Sequence, residues 1–578
     1  MVAVSIRQTN DVPMLSIEVD GVELPSTIPV STVEIIYKTN RIPFARIKIN
    51  DGLVADGDFP YSSGDYFIPG KELSIVAGYR DEVAPLFTGL VLSQRIVVRS
   101  NQSYLVIECR DPAIKMALSK KNRYYDEQTD SDIAETLISE YGLTADITSS
   151  EVVHPQLMQY QSSDWDFMIS RLESSGQLCV VEDGTVQSYI PNLDADANID
   201  IVFGDTLIAF DAEFDARSQS AAVTSLSWNP ADQNLQEVDA VEVAWQNNSD
   251  LNTDDMTSAT EHEVDLLMHG GSLASDALQS WADGALVRSR LAASRGRARF
   301  RGVTEIRLGD TVQLSEISSR FNGKVHTTGV RHEFSNNNWT TDIEFGLSRK
   351  THAEKFNISQ LPAAGLTPSI SGLHIGVVTQ LADDPAAENR VKVKIPIAGM
   401  NEQGVWARVS TLDAGSDRGT FFRPELDDEV VLGFFHDDPA QPVMLGMLHS
   451  SAKAPPIEPS EDNHEKAYVS REGLRFHFDD DQKVITLETP GANKIVLSDA
   501  DGGILLEDQN GNKIELNGDG VFITSANELN VSASTDLKLE AVNAEIKASA
   551  ELKADGGASA ELSSSGMLTV KGSLVQIN

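Results

Sequence analysis

The chain has 578 residues and carries 46 Lys and Arg against 87 Asp and Glu, a net charge of −41 with a pI near 4.5. That balance excludes a nucleic-acid binder that works by neutralising phosphates, and it opposes docking on anionic membranes. Hydrophobic residues at 41% and charged residues at 23% suffice to bury cores, and at roughly 100–200 residues per domain the length allows about three to five domains.

Two cysteines, Cys109 and Cys179, sit in apolar surroundings. They exclude a disulfide framework and read as small core residues. Met1 to Pro13 lacks a basic segment followed by an apolar run, so no Sec signal peptide is expected. No stretch approaches the ~18 apolar residues of a membrane span. Synthesis and folding in a reducing cytosol follow, with any exit from the cell by another route.

Taken in chain order, residues 1 to about 125 alternate apolar and polar side chains in short runs. Val33–Tyr37, Ala45–Ile49, Leu73–Val76 and Tyr104–Ile107 read as strands, with turns at Asp20-Gly21, Asp51-Gly52 and Ser63-Gly64. Two helices follow. Asp130 to Tyr141 aligns Ile133, Leu137 and Tyr141 before Gly142; Asp164 to Ser175 aligns Trp165, Ile169 and Leu172 before Gly176. Ser162, Ser163 and Asp164 offer an N-cap. A third helix, Ala274 to about Arg295, carries Leu278, Trp281, Ala285 and Leu286 on one face, and strands return over Gly309–Leu314 and Trp339–Phe345.

Leu361 to Pro368 reads as a linker because Pro and Gly disfavour regular structure there. Residues 372–450 then hold about five short strands, among them Arg390–Ile395, Val405–Val409, Glu429–Phe435 and Pro442–Gly446. That size suits a Greek-key barrel of OB type. A second linker contains Ala454 to Pro459. In the tail, apolar pairs recur at i and i+2. Val521 with Ile523, Leu529 with Val531, and Leu537 with Leu539 keep a period of eight. Less regular pairs flank them: Ile485/Leu487, Ile495/Leu497, Ile514/Leu516, Ile546/Ala548, Leu568/Val570 and Val575/Ile577. A fixed period marks a repeat architecture, one short strand and a turn per repeat. One such chain has too few large apolar groups to fill a tube, whereas three wound together share a narrow core. The expectation is an intertwined trimeric β-helix or β-prism; a disordered low-complexity tail would not keep the pairs in phase.

The barrel residues also carry a resemblance. Asn389-Arg390-Val391-Lys392-Val393-Lys394-Ile395-Pro396 precedes Val405-Trp406-Ala407-Arg408-Val409; then come Phe421 to Leu432 with Pro424, Glu429 and Val430, and His436 to Val443 with Pro439 and Pro442, ending at Gly446. This resembles the OB-fold of VgrG-type spike proteins of contractile injection systems, which are similar to phage tail hub and spike proteins. Gln159 to Phe167, with Arg171-Leu172-Glu173 and Gly176, resembles that family's hub helix. Asp427 and Asp437 stand where the family usually shows Gly, and Asp tolerates left-handed backbone better than most residues.

The resemblance implies a mainly β protein with an α+β hub of barrel-like domains over 1–360, a linker at 361–371, an OB-fold at 372–450, a linker at 451–468 and a trimeric spike at 469–578. It implies a homotrimer that adapts threefold to sixfold symmetry, docks inner-tube and baseplate proteins at the hub, and pierces an envelope mechanically. A PAAR-type tip protein would cap the apolar end at Leu574, Val575, Ile577 and Asn578. The prism core would be Val521, Ile523, Leu529, Val531, Leu537 and Leu539. Neither a lysozyme insertion in the short second linker nor a toxin after Asn578 fits. No catalytic motif, cofactor or metal is expected; the alternatives are a spike with cryptic hydrolase activity on peptidoglycan and a trimeric fibre or adhesin. Type VI system, extracellular particle and bacteriocin-like tail all use such a part.

Other features have plainer readings. His262-Glu263 and His269 lack zinc-helix spacing. Asp194-Ala195-Asp196-Ala197-Asn198 begins like a calcium loop, with Asp205 twelfth, but Ile199 stands where the turn needs Gly. Asp499 to Gly503 and Asp508 to Asn512 read as prism turns, with Gly and Asn supplying positive φ. The basic run Arg288, Arg290, Arg295, Arg297, Arg299 and Arg301 is either ordinary surface or a docking site for an acidic neighbour, such as another copy of the chain.

Overall fold

The computed structural model describes residues 4–5, 11–52, 57–80, 82–100, 102–243, 249–399 and 404–577. Strands make up 41% of it and helices 12%, which places the chain in the mainly β class. It divides into two compact units, Met1–Pro368 and Ser369–Asn578.

In the first unit, alternating burial builds the sheets. Phe44–Asn50 buries Ala45, Ile47 and Ile49 and turns Arg46 and Lys48 outward, as a period of two requires. Strands before residue 111 surround one apolar core with Ile35, Ile47, Leu73 and Ile107. Strands between 199 and 345 surround a second with Ile201, Phe300, Val312 and Ile343. The two β-rich halves nonetheless share one 14-stranded sheet. They join where Val30–Lys38 pairs with Gly323–Ser335, Val33 facing Phe334 and Tyr37 facing Val330. Sequence periodicity marks Val33–Tyr37 but neither Gly323–Ser335 nor this partnership across roughly 300 positions.

The helices form where the stripes place them. Asp130–Ser139 starts in a capping box in which Thr129 accepts from the Asp132 amide and Asp132 from the Thr129 amide. Asp164–Ser174 is capped by Ser163 Oγ, 3.1 Å from the Asp166 amide nitrogen. Ile133, Leu137, Trp165, Ile169 and Leu172 are buried together with Cys179. The third helix spans Ser275–Ala292, shorter than expected, because Ser294–Arg301 is already a strand. Gly176, the stop of the second helix at φ +73°, also meets Gly284 inside the third. A Cβ on Gly284 would lie 2.7 Å from Gly176 Cα, so only glycines allow the crossing.

The second unit begins with a closed barrel: His374–Gln380, Val391–Lys394, Val405–Val409, Pro442–Met447 and Glu429–Phe434, in that neighbour order. Val378, Val391, Val393, Ala407, Val430, Leu432 and Met444 fill it. Asp427 at φ +66° and Asp437 at φ +57° both adopt the left-handed conformation. The barrel is followed by a seven-stranded antiparallel meander from Glu465–Val469 to Gly520–Thr524. Its first strand starts at Glu465, inside the segment read from sequence as linker, where Tyr468 packs on Phe422 of the barrel at 4.7 Å between ring centroids. Beyond Thr524 the described residues form no strand within this chain, yet bends recur at 526, 534, 542, 549, 557, 565 and 573. The period of eight therefore continues through the tail with one seven-residue step. That short step accounts for Leu568 and Val570, which follow the bend at 565 as Leu529 and Val531 follow the bend at 526, while Ile546/Ala548 and Val575/Ile577 stay out of phase.

Candidate functional site

The meander is a single layer with two unlike faces. Its register stacks apolar side chains into two columns across the strands. Phe476 faces Leu487, Leu487 faces Ile495, Ile495 faces Leu506, Leu506 faces Ile514 and Ile514 faces Ile523. Phe478, Ile485, Leu497, Ile504, Leu516 and Val521 form the second column in the same way. The opposite face mixes Val496, Leu505 and Phe522 with charge and short ion pairs, such as Lys494 with Glu507 at 3.0 Å and Lys513 with Glu515 at 2.9 Å.

In the single chain the apolar columns stay exposed, from 36% at Ile485 to 66% at Val521, apart from the half-buried Leu516. A sheet with one apolar face needs a second layer, and fully burying each such side chain contributes about 1.5–3 kcal/mol. The expected core residues divide between two settings. Val521 and Ile523 lie on the last strand, while Leu529, Val531, Leu537 and Leu539 lie in the periodic tail and are exposed. Leu574, Val575 and Ile577 are exposed at its end; Asn578 lies outside the described residues.

Turn chemistry fixes the register. Gly502 and Gly511 supply positive φ, at +63° and +86°. The asparagines do not: Asn510 and Asn512 instead bind Asp508, whose Oδ1 accepts from their amides at 2.9 and 2.8 Å. The Asn512 side chain and amide, followed by those of Asn510, lower the Asp508 carboxyl to about 2.

In the barrel, Val391, Pro424, Val430 and Pro442 are buried, and Pro439 is partly so. Arg390 pairs with Asp384 at 2.7 Å and holds that carboxyl well below the usual range. Trp406 carries the Lys392 ammonium 5.8 Å from its ring centroid. Glu429 opens the Glu429–Phe434 strand, and Gly446 faces Val431 beside a register shift. These residues build turns and core and converge on no cleft.

The basic run lies along the third helix and the strand after it. Its acidic neighbours belong to the same unit. Arg288 pairs with Glu173 at 2.6 Å, Arg295 with Glu213 and Asp215, and Arg299 with Asp342 at 2.8 Å; Arg297 lies 3.9 Å from Asp342. Arg290 is buried and donates to the Ser220 carbonyl at 2.9 Å. The partners lie tens to hundreds of positions away, so the sequence shows a basic stripe where the fold makes internal pairs. Glu173 ties the unit together, also accepting from Asn40 Nδ2 and the His352 amide at 2.6 Å each. No sequence signal marks it beyond its place in the resembling hub helix.

Among the described residues no three His, Cys, Asp or Glu side chains gather as a metal set, and His262 and His269 are not brought into one. In the acidic loop, Asn198 turns to Asp310 at 2.7 Å and Ile199 enters a strand. Ser163, Asp166 and His352 form a hydrogen-bonded line, with Asp166 in the middle at 2.6 and 2.8 Å. A nucleophile–base pair needs the imidazole on the hydroxyl, and here the carboxylate separates them. Cys109 and Cys179 are both buried; desolvation pushes the Cys109 thiol up to about 12 and Cys179 higher still. Neither is a thiolate nucleophile.

Comparison with known proteins agrees with this geometry. Residues 374–449 match the type VI secretion system/phage-baseplate injector OB domain, and residues 484–578 match the phage baseplate V C-terminal trimerisation domain. The chain is similar to a prophage MuSo2 43 kDa tail protein from Shewanella oneidensis (9% identity, 58% of this chain and 98% of the other, TM-score 0.45). It is also similar to a tail protein from Neisseria meningitidis (15%, 59% and 98%, TM-score 0.44) and to a type VI secretion component of E. coli (13%, 75% and 99%, TM-score 0.35). An OB barrel followed by a trimerisation domain makes the chain a VgrG-type structural spike of a contractile injection system. The chain belongs to the family of the Alg8 N-terminal domain, whose model matches residues 9–336.

Proposed function

We propose that three copies assemble through the apolar columns of residues 469–578 into a rigid prism that pierces the target envelope. The hub, 1–360, meets inner-tube and baseplate proteins, with segments 361–371 and 451–468 flanking the OB barrel of 372–450. A PAAR-like protein covers the end marked by Leu574, Val575, Ile577 and Asn578. Arg390, Trp406 and the barrel prolines hold that barrel in shape. The chain acts mechanically, as part of an injection particle, and performs no catalysis.

One observation carries this reading: two in-register apolar columns that a single layer leaves open. Threefold closure covers all of them at once and pairs the periodic tails of the three chains. Light scattering on the full chain should give three times 62.8 kDa; a stable monomer overturns the reading. Purified protein should leave peptidoglycan intact, and clearing of a cell-wall suspension would make the spike an enzyme.

A further inference from the structure

A groove of about 560 Å3 opens in the Met1–Pro368 unit, a volume within the range of ligand pockets. Its walls include Ile42, Phe44, Ile114, Trp165, Phe356 and Ile358. Three cations, Lys38, Arg41 and Arg110, reach it. Two of them are neutralised nearby: Lys38 by Glu344 at 2.8 Å and Arg110 by Glu108 at 2.7 Å. Arg41 is different. Among the described residues no carboxylate lies within ion-pair distance of it, and its guanidinium carbon sits 3.8 Å from the centre of the Phe356 ring. The one carboxylate in the lining, Asp166, is already engaged by Ser163 and His352.

An arginine stacked on an aromatic ring keeps its planar fork free for a carboxylate. Placed beside apolar walls in a chain of net charge −41, this cation faces a single lining carboxylate, Asp166. A polyanion such as nucleic acid or an anionic bilayer is repelled by the surrounding charge and gains little from one cation. A short segment with one carboxylate and one large apolar side chain gains from both halves of the groove.

We infer that this groove receives an acidic peptide segment of another component of the particle, its carboxylate on Arg41 and an aromatic or aliphatic side chain against Trp165 and Phe356. The inference goes beyond the mechanical role and stands on the hub alone. Fluorescence anisotropy of the full-length protein with a fluorescein-labelled hexapeptide of alternating Asp and Phe tests it. The native protein should bind the peptide, and Arg41→Glu should weaken binding by about tenfold or more, the loss of a charge-assisted pair. Arg41→Lys should fall between, because an ammonium lacks the fork. A Lys/Phe peptide should not bind. Binding that is absent in the native protein, unchanged in Arg41→Glu, or equal for the Lys/Phe peptide overturns the proposal. Loss of the trimer in Arg41→Glu also overturns it, since the groove would then hold another copy of this chain. Arg41 is exposed; should Arg41→Glu fail to fold, Arg41→Gln gives the same readout.

Discussion

The hub and the meander are built from the same kind of alternating strand, yet they dispose of their apolar side chains in opposite ways. Ile35, Ile47, Leu73 and Ile107 of the hub are wholly covered by their own chain. Ile495, Leu506 and Ile514 of the meander are left 38–39% exposed by theirs. The lesson is that a strand pattern specifies a face, while the number of layers decides whether one chain can fill it. The hub has the layers to fold alone; the meander and tail must borrow theirs, so their stability depends on protomer concentration.

The largest break of this contrast is Leu506→Asp. It places a carboxylate at the middle of one column, between Ile495 and Ile514, and burying an unpaired charge costs several kcal/mol in each chain. Light scattering should show monomers, while calorimetry retains the hub transition. A persisting trimer would mean that the columns are not the interface.

The converse is Arg288→Ala, which leaves the buried Glu173 carboxylate with neutral donors alone, Asn40 and the His352 amide. It should lower hub stability by about 3–5 kcal/mol and leave the trimer intact; denaturant unfolding followed by hub tryptophans checks both halves.

Acid separates the regions more gently. The Asp508 carboxyl is depressed in the folded turn. Its contribution is present above the unfolded value of about 4 and is lost as pH falls through about 2. Thermal melts between pH 4 and 2 should show the meander destabilised, and Asp508→Asn should flatten that part of the profile.

Smallest is Asp437→Gly in the barrel. Relieving a left-handed Asp should raise stability by at most about 1 kcal/mol, seen as a shift in denaturant midpoint with assembly unchanged.

Much of this arrangement is legible in the sequence because its signals are local. Helix stripes with a Ser or Thr cap and a Gly stop, the Val391-Lys392-Val393 alternation and the i, i+2 pairs each state their burial within a few residues. What escaped depends on distant partners. Gly284 looks like a flaw in a helix until Gly176 lies against it, and the arginine run reads as either surface or a docking stripe until Glu173, Glu213 and Asp342 meet Arg288, Arg295 and Arg299. The seven-residue step at 542–549 is hidden for another reason: Glu545 and Lys547, at the positions that follow the bend at 542, are not apolar and do not mark the phase. Arg41 gave no signal, since an unpaired cation is defined by what does not surround it.

The recurring bends from 526 to 573 make the tail a ruler graduated in eight-residue marks. Removing one whole mark keeps each remaining apolar pair on the face it already occupies and shortens the shaft by one graduation. Removing half a mark turns every distal pair out of step with those before it. Reach in this molecule is quantised, so shafts of different length arise by adding or deleting whole marks, with the hub untouched.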